Sequence, residues 1–193
     1  MSGADALTTV RGFHFDTVNV ISCVADEQLL EEALGLCATF ERLLSRFAEG
    51  SDVWRINHAQ DSAVAISPHT AAVLALAQDV QEASRGAFNI AVGEAAALWD
   101  FSSATPAVPA ADELSHAATR LAATRIEVCH GDVSLDTRPM CQVIRPHDTR
   151  DTRSPNSSNT PQIDLGGIAK GYICDRVADF LRAKGVSSGL LNF

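Results

Sequence analysis

Hydrophobic residues recur at helical spacing in four parts of the chain. Asp26 and Ser67 are suitable N-caps for the first two of these parts, and Pro68 fits the first helical position after Ser67. The apolar residues that follow are spaced three or four positions apart, as on one buried helix face. The pattern therefore predicts helices from Asp26 to about Arg46, from Ser67 to Gly86, from Asp112 or its neighbour to Ala122, and from near Ala169 to Gly185.

Stretches rich in β-branched and aromatic residues predict the strands. Apolar and polar residues alternate imperfectly from Phe13 to Val24, which suits one strand covered on both faces. Residues 125–128 and 133–136 predict a β-hairpin that turns at His130-Gly131-Asp132. Residues 188–193 predict a last strand, and because domains rarely end within a buried strand, we expect the chain to be a truncated domain.

Four segments lack a regular period. The helical pattern is broken at Gly50-Ser51-Asp52, and a loop is predicted over residues 53–57. The apolar run 86–101, with two glycines, is either core or a binding loop. Residues 102–111 predict a linker of small residues and prolines, and residues 144–161 predict a polar loop.

Charge and cysteine usage narrow the class of protein. The chain carries 15 Lys and Arg against 24 Asp and Glu, a net charge of −9, which disfavours binding to nucleic acid or to an anionic membrane. Five cysteines stand singly, which favours reduced thiols over a zinc site or a disulfide framework. No leader-like or membrane-spanning segment is visible, so the sequence predicts a cytoplasmic protein with no membrane segment.

A glycine turn between a predicted strand and a predicted helix is the strongest candidate for chemistry. Gly166 and Gly167 would let backbone N–H groups approach a phosphate at the N-terminus of the helix, and Lys170 could reach the same anion. The alternatives are a tight connection packed by glycines and a solvated lysine. Asp164, just before the turn, could accept a hydrogen bond from a ligand or cap the helix.

Four ordered motifs together resemble the ApbE family, the FAD:protein FMN transferases. The resemblance covers nearly the whole chain, and its last motif is the most specific. The motifs are Phe15-Asp16-Thr17-Val18, then Leu44-Ser45-Arg46-Phe47 with Ser51-Asp52 and Ile56-Asn57, then GAFNIAVGEAAALWDF (86–101), and IDLGGIAKGYICDRVADFLRAKGV (163–186) running into GLLNF.

The resemblance implies an α+β fold with mixed sheets and flanking helices, of which residues 1–193 are the N-terminal portion of a single domain. It implies a magnesium-dependent enzyme that transfers FMN from FAD to a threonine or serine hydroxyl of a target flavoprotein and releases AMP. The alternative is a non-catalytic FAD-binding remnant, because the resemblance places the acidic and threonine metal ligands in a later segment. A single backbone carbonyl cannot hold Mg²⁺, which prefers six oxygens.

Individual site residues also follow from the resemblance. It implies a Mg²⁺ contact through the backbone carbonyl of Gly167, and no residue is predicted to act as a catalytic group. It implies FAD contacts at Phe15, Phe47, Ala87, Phe88, Asn89, Asp164 and Lys170. The sequence departs from the family at Phe15-Asp16, where Met-Gly is common, at Asn89, where Asp is common, and at Glu94, where Pro is common.

Overall fold

The computed structural model describes residues 6–59, 62–99, 104–105, 107–130, 139–144 and 162–193. The chain divides into two compact units, a first unit of Met1–Ser45 with Gly166–Phe193 and a second unit of Arg46–Leu165. The elements are, in order, β1 (Thr8–His14), β2 (Thr17–Cys23), α1 (Glu27–Leu44), α2 (Asp52–His58), β3 (Val64–Ala65), α3 (Pro68–Ala83), a 3₁₀ turn (Ile90–Val92), α4 (Gly93–Ala97), α5 (Ala111–Ala123), β4 (Arg125–His130), β5 (Pro139–Ile144), α6 (Ala169–Ala183) and β6 (Gly189–Asn192).

The first unit is built on an antiparallel sheet of order β1-β2-β6. His14 lies opposite Thr17 at the β1–β2 turn, and Ile21 of β2 lies opposite Leu191 of β6. The structure corrects the prediction of one strand from Phe13 to Val24. The chain instead reverses at Phe15 and Asp16, which both have a φ of 56°. Neither residue is a glycine or an asparagine, so the usual signal for a two-residue turn is missing at this point.

Helices α1 and α6 supply the rest of the core of the first unit. Asp26 Oδ1 accepts a hydrogen bond from the Leu29 N–H at 2.8 Å, which confirms the predicted helix start. The buried face of α1 consists of Leu30, Ala33, Leu34, Cys37, Phe40 and Leu44. Phe40 meets the ring of Tyr172 edge-on, with ring centroids 6.1 Å apart. This geometry is favourable for an aromatic pair, so the two helices are joined by an apolar contact.

The second unit contains the antiparallel sheet β3-β5-β4 and the helices α2 to α5. Cys141 of the central strand β5 has Val64 on one side and Val128 on the other, and its side chain is fully buried. α3 begins as predicted, because Ser67 Oγ accepts from the Thr70 N–H at 3.0 Å and Pro68 occupies the first turn.

The second unit differs from the sequence prediction in two places. The prediction of a loop over residues 53–57 is wrong, because they lie in α2, where Ser51 Oγ accepts from the Trp54 N–H at 2.9 Å. Residues 125–128 form a strand as predicted, and the partner that the structure describes is β5. The prediction that the chain turns at His130 is wrong, because β4 continues through His130, which pairs with Pro139. The predicted second strand of that hairpin, residues 133–136, lies outside the described residues, as does all but the first residue of the predicted polar loop 144–161.

The predicted α+β fold, with sheets flanked by helices, is confirmed, and the strand pairs in the described residues are antiparallel. None of the helices in the described ranges is long and apolar enough to cross a membrane. The assignment of residues 1–193 to a single domain stays a prediction.

Candidate functional site

The segment just before the glycine turn is held in place by a buried asparagine of α2. Asn57 donates from Nδ2 to the Ile163 carbonyl at 3.0 Å and accepts at Oδ1 from the Ile163 N–H at 2.7 Å. Both side chains are buried, so the two bonds satisfy backbone groups that lie outside any strand ladder. The amide of Asn57 therefore does for residue 163 what a neighbouring strand would otherwise do.

The same segment is fixed a second time by the backbone of the apolar run. The Gly93 N–H donates to the Gln162 carbonyl at 2.9 Å, and the Asp164 N–H donates to the Ile90 carbonyl at 2.8 Å. A Cβ atom at Gly93 would lie 2.6 Å from the Gln162 carbonyl oxygen. Glycine is therefore required at position 93 by the close approach of two backbones.

Arg46 connects three parts of the candidate site in the second unit. Its Nη1 lies 3.2 Å from the Gly93 carbonyl and 3.4 Å from Asp164 Oδ2, and its guanidinium carbon lies 4.6 Å from the centre of the Phe47 ring. The Nε atom of Arg46 is buried and has no hydrogen-bond partner in the part of the chain that the structure describes. Two predicted FAD contacts, Phe47 and Asp164, are thus brought together through one cation.

Ala87, Phe88 and Asn89 follow the end of α3 in the same unit. The chain turns through Arg85 and Gly86, which both have a positive φ. The Phe88 N–H then donates to Ser84 Oγ at 3.0 Å, and the Ala91 N–H donates to Asn89 Oδ1 at 2.9 Å. Asn89 therefore caps the 3₁₀ turn, which a carboxylate at this position could also do.

Asn89 also lines a polar pocket of about 560 Å³ that lies wholly within the second unit. The pocket is formed by the end of α3, the end of α5 and the start of β4. Gln78 Nε2 of α3 donates a hydrogen bond to the Ile126 carbonyl of β4 at 2.7 Å. Its charged lining residues are Glu82, Arg85, Arg125 and Glu127.

A buried carboxylate fixes the helix that carries Asn57. Asp52, only 5% exposed, accepts at Oδ2 from the Ser67 N–H at 2.7 Å and from Thr70 Oγ1 at 2.6 Å, and at Oδ1 from Arg55. The first turn of α2 is therefore tied to the first turn of α3 by charge-assisted bonds. Burial, with a smaller contribution from the Asp52 charge, raises the pKa of the Cys141 thiol to about 12.

Glu94, the position at which the sequence departs from the usual proline, has a partner on α5. Arg120 donates to both carboxylate oxygens, with Nε 3.1 Å from Glu94 Oε2, and both side chains are about one-fifth exposed. This bidentate pair joins α4 to α5 and gives the substitution a local structural role.

The other predicted site residues, Phe15, Gly167 and Lys170, belong to the first unit. Phe15 lies in the β1–β2 turn, and Gly167 lies in the exposed turn before α6, where the sequence placed it. Lys170 is the second residue of α6, and that helix has no side-chain cap at Ile168 and no acidic residue in its first turn. These features suit an anion at the helix N-terminus. The functional roles of these three residues stay predictions.

Sequence reasoning gave no separate role to two residues that organise the site. Arg46 and Asn57 stood inside the motifs that carry the resemblance, but their partners lie 47 and 106 residues away along the chain. The signal that could have found Asn57 was Ser51, whose capping bond starts α2. No local pattern in the sequence indicates the contacts of Arg46.

Comparisons with known proteins identify the family of this chain. Residues 15–193 match the profile of the ApbE family. The chain is 33% identical over 168 residues to the FAD:protein FMN transferase of Klebsiella pneumoniae and 30% identical over 164 residues to that of Treponema pallidum. These alignments cover 86% and 84% of this chain but 47% and 41% of the two relatives, so the chain spans about half of their length.

Solved structures show the same fold. The flavin transferase ApbE from Vibrio cholerae aligns with a TM-score of 0.70 at 22% identity, over 97% of this chain and 58% of that one. The apo flavinyl transferase ApbE of Pseudomonas stutzeri aligns with a TM-score of 0.71 at 23% identity, over 97% of this chain and 56% of that one. Taken with the family match over residues 15–193, these findings show that the chain belongs to the ApbE family.

Proposed function

We propose that this protein is an FAD:protein FMN transferase. FAD would be its substrate, and a threonine or serine hydroxyl of a target flavoprotein would be the acceptor. In the transfer, the hydroxyl oxygen forms a bond to the phosphorus of the FMN half, and the bond from that phosphorus to the bridging oxygen of the pyrophosphate breaks. AMP leaves with the bridging oxygen, and the hydroxyl proton is released. Membership of the ApbE family and the names of the two curated relatives support the proposal.

The observation that carries the proposal is the arrangement around Arg46. Its Nη1 is aligned by the Gly93 carbonyl and by Asp164 Oδ2. The guanidinium of Arg46 is only 15% exposed and lies against the predicted FAD contacts Phe47 and Asp164, and a guanidinium held in this way is a suitable donor to a phosphate of FAD. The residues of the second unit therefore fit an anionic substrate.

The remaining FAD contacts are proposed residue by residue from the resemblance. In the second unit, the ring of Phe47 is 75% exposed and can pack against a flat heterocycle. Ala87 is exposed, and Phe88 and Asn89 are partly exposed, so these residues are also accessible to a ligand. In the first unit, we propose Phe15 and Lys170. The uncapped start of α6 supplies backbone N–H groups that suit a phosphate.

The described residues do not fit a complete magnesium site. They contain no group of three His, Cys, Asp or Glu side chains placed to hold a metal. Gly167 can offer only a backbone carbonyl, whereas Mg²⁺ requires near-octahedral oxygen ligands. We propose that the backbone carbonyl of Gly167 is one Mg²⁺ ligand.

Mass spectrometry of the target protein tests the proposal. The chain would be incubated with FAD, Mg²⁺ and a flavoprotein domain that bears an acceptor threonine, and the target should gain the mass of FMN. Asp164→Ala should lower the transfer rate by about tenfold or more, because Arg46 loses its counter-charge and changes position. Asp79→Ala, an exposed site on α3, is the matched control and should leave the rate unchanged.

A fluorescence titration with FAD separates the outcomes. FAD binding without mass gain would favour the alternative function, a non-catalytic FAD-binding protein. The absence of both FAD quenching and mass gain would overturn the proposal. Equal rates for Asp164→Ala and the unmodified chain would remove Asp164 from the site while leaving the transferase assignment in place.

A further inference from the structure

The hairpin turn that carries Phe15 has an unusual backbone for its residue types. β1 and β2 are joined by two residues only, since His14 pairs with Thr17 across the turn. Phe15 and Asp16 both adopt the left-handed region, with φ of 56°. Two-residue turns with two positive φ values strongly prefer Asn-Gly or Gly-Gly, because a bulky side chain clashes with its own backbone there. The turn therefore needs support from outside the hairpin.

That support comes from the carboxylate of Glu41, on α1. Its Oε1 accepts a hydrogen bond from the Phe15 N–H at 2.8 Å, and its Oε2 lies 3.2 Å from His14 Nδ1. Both oxygens are thus directed at consecutive residues of one turn, 26 and 27 residues away along the chain. A carboxylate that accepts from a backbone N–H makes a strong, charge-assisted bond.

We propose that Glu41 is a positioning residue for FAD binding, acting through the backbone of Phe15. The inference rests on the proposed function, in which Phe15 contacts FAD. The carboxylate holds Phe15 in a backbone conformation that phenylalanine alone rarely adopts, and the direction of the ring follows from that conformation. Without Glu41, the turn relaxes toward negative φ values and the ring of Phe15 leaves its binding orientation.

The test compares variants of the full chain by two readouts. The first is the hydrogen-exchange rate of the Phe15 amide measured by NMR, which reports the Glu41 bond whether or not FAD binds. The second is the dissociation constant of FAD from fluorescence quenching. Glu41→Ala should speed exchange at Phe15 by about tenfold or more and raise the FAD dissociation constant by about tenfold. Glu41→Gln keeps one acceptor oxygen and should show a smaller change in both.

A compensating variant distinguishes positioning from general stability. Asp16→Gly favours the left-handed turn without help, so the double variant Glu41→Ala with Asp16→Gly should recover FAD affinity to within about threefold of the unmodified chain. Glu31→Ala, an exposed site on the same helix, is the matched control and should change neither readout. Glu41 bonds to His14 and Phe15 and not to Asp16. If Glu41 acts only on the stability of the fold, the glycine at position 16 should therefore not restore FAD affinity.

The outcomes separate this inference from the proposed function. Unchanged exchange at Phe15 in Glu41→Ala would overturn the inference whatever happens with FAD. Unchanged FAD affinity in Glu41→Ala, with faster exchange, would also overturn it. If the unmodified chain fails to bind FAD, the proposed function and the positioning role both fail, and the exchange data still show whether Glu41 holds the turn.

Discussion

Among the described residues, each unit buries one asparagine, and the hydrogen bonding of the two asparagines is opposite. Asn57 in the second unit is 6% exposed, and both of its amide atoms bond to the backbone of Ile163. Asn19 in the first unit is fully buried, and neither of its amide atoms has a hydrogen-bond partner in the described ranges. Burial of the same side chain thus stabilises one unit and costs stability in the other.

The backbone around each asparagine explains the difference. Asn19 lies within β2, opposite Gly12 of β1, so the backbone groups near it are satisfied by strand pairing and do not need a side chain. Ile163 has no strand partner among the described residues, and its N–H and carbonyl both bond to Asn57. A buried polar side chain is therefore useful where the backbone is irregular, and the irregular segment here leads into the candidate site.

Removal of the Asn57 amide should have the largest effect on stability. Asn57→Leu leaves two buried backbone groups of Ile163 unpaired, so the free energy of unfolding should fall by about 2 to 5 kcal/mol. Asn57→Asp keeps the acceptor for the Ile163 N–H, so its free energy of unfolding should lie between that of the unmodified chain and that of Asn57→Leu. Urea unfolding followed by circular dichroism measures the change.

Thiol labelling shows whether the damage stays in the second unit. Burial raises the pKa of Cys141 in the second unit to about 12 and that of Cys37 in the first unit to about 11, so both thiols should label slowly at neutral pH. Asn57→Leu should accelerate labelling of Cys141 and leave Cys37 near its original rate. Equal acceleration of labelling at both cysteines would show that loss of the Asn57 amide destabilises both units, and not the second unit alone.

Loss of the Asp52 carboxylate should have the next largest effect. Asp52→Asn removes the charge from bonds to Ser67 and Thr70, and the free energy of unfolding should fall by about 1.5 to 3 kcal/mol. Thermal unfolding measures this loss of stability. Asp79 is exposed on α3, so Asp79→Asn is the control. A change no larger than that of the control would mean that the carboxylate charge adds nothing to these bonds.

Helix starts could be predicted from the sequence, and the organisation of the site could not. Asp26 and Ser67 act through neighbours three residues away, so local reasoning located α1 and α3. The turn at Phe15 and Asp16 was missed because its residues lack the usual glycine or asparagine, and α2 was missed because it is only seven residues long and follows a glycine break. These are the elements that carry or fix residues of the candidate site.

The same contrast holds for the site residues themselves. The resemblance predicts FAD contacts at Phe47 and Asp164, and Arg46 contacts both of these residues. No pattern of spacing could have shown that link, because Arg46 and Asp164 are distant in the sequence and meet only through the path of the chain in the second unit.

Removal of the unpaired amide of Asn19 should raise stability. Asn19→Val replaces a buried polar group with a residue that favours strands, so the free energy of unfolding should rise by about 1 to 2 kcal/mol. Urea unfolding measures the change, and Asn19→Ala controls for the larger volume of valine. Destabilisation by both substitutions would show that the amide contributes to the first unit, and the contrast with Asn57 would then be wrong.

The Glu94–Arg120 pair should give the smallest effect. It is bidentate and only about one-fifth exposed, but its attraction is offset by the cost of removing both charges from water. A double-mutant cycle with Glu94→Ala and Arg120→Ala should give a coupling free energy of about 1 kcal/mol, measured by urea unfolding. A value near zero would mean that α4 and α5 are held together by packing alone. A coupling larger than the loss in Asn57→Leu would mean that pairs between side chains, rather than bonds to irregular backbone, dominate the polar stability of the second unit.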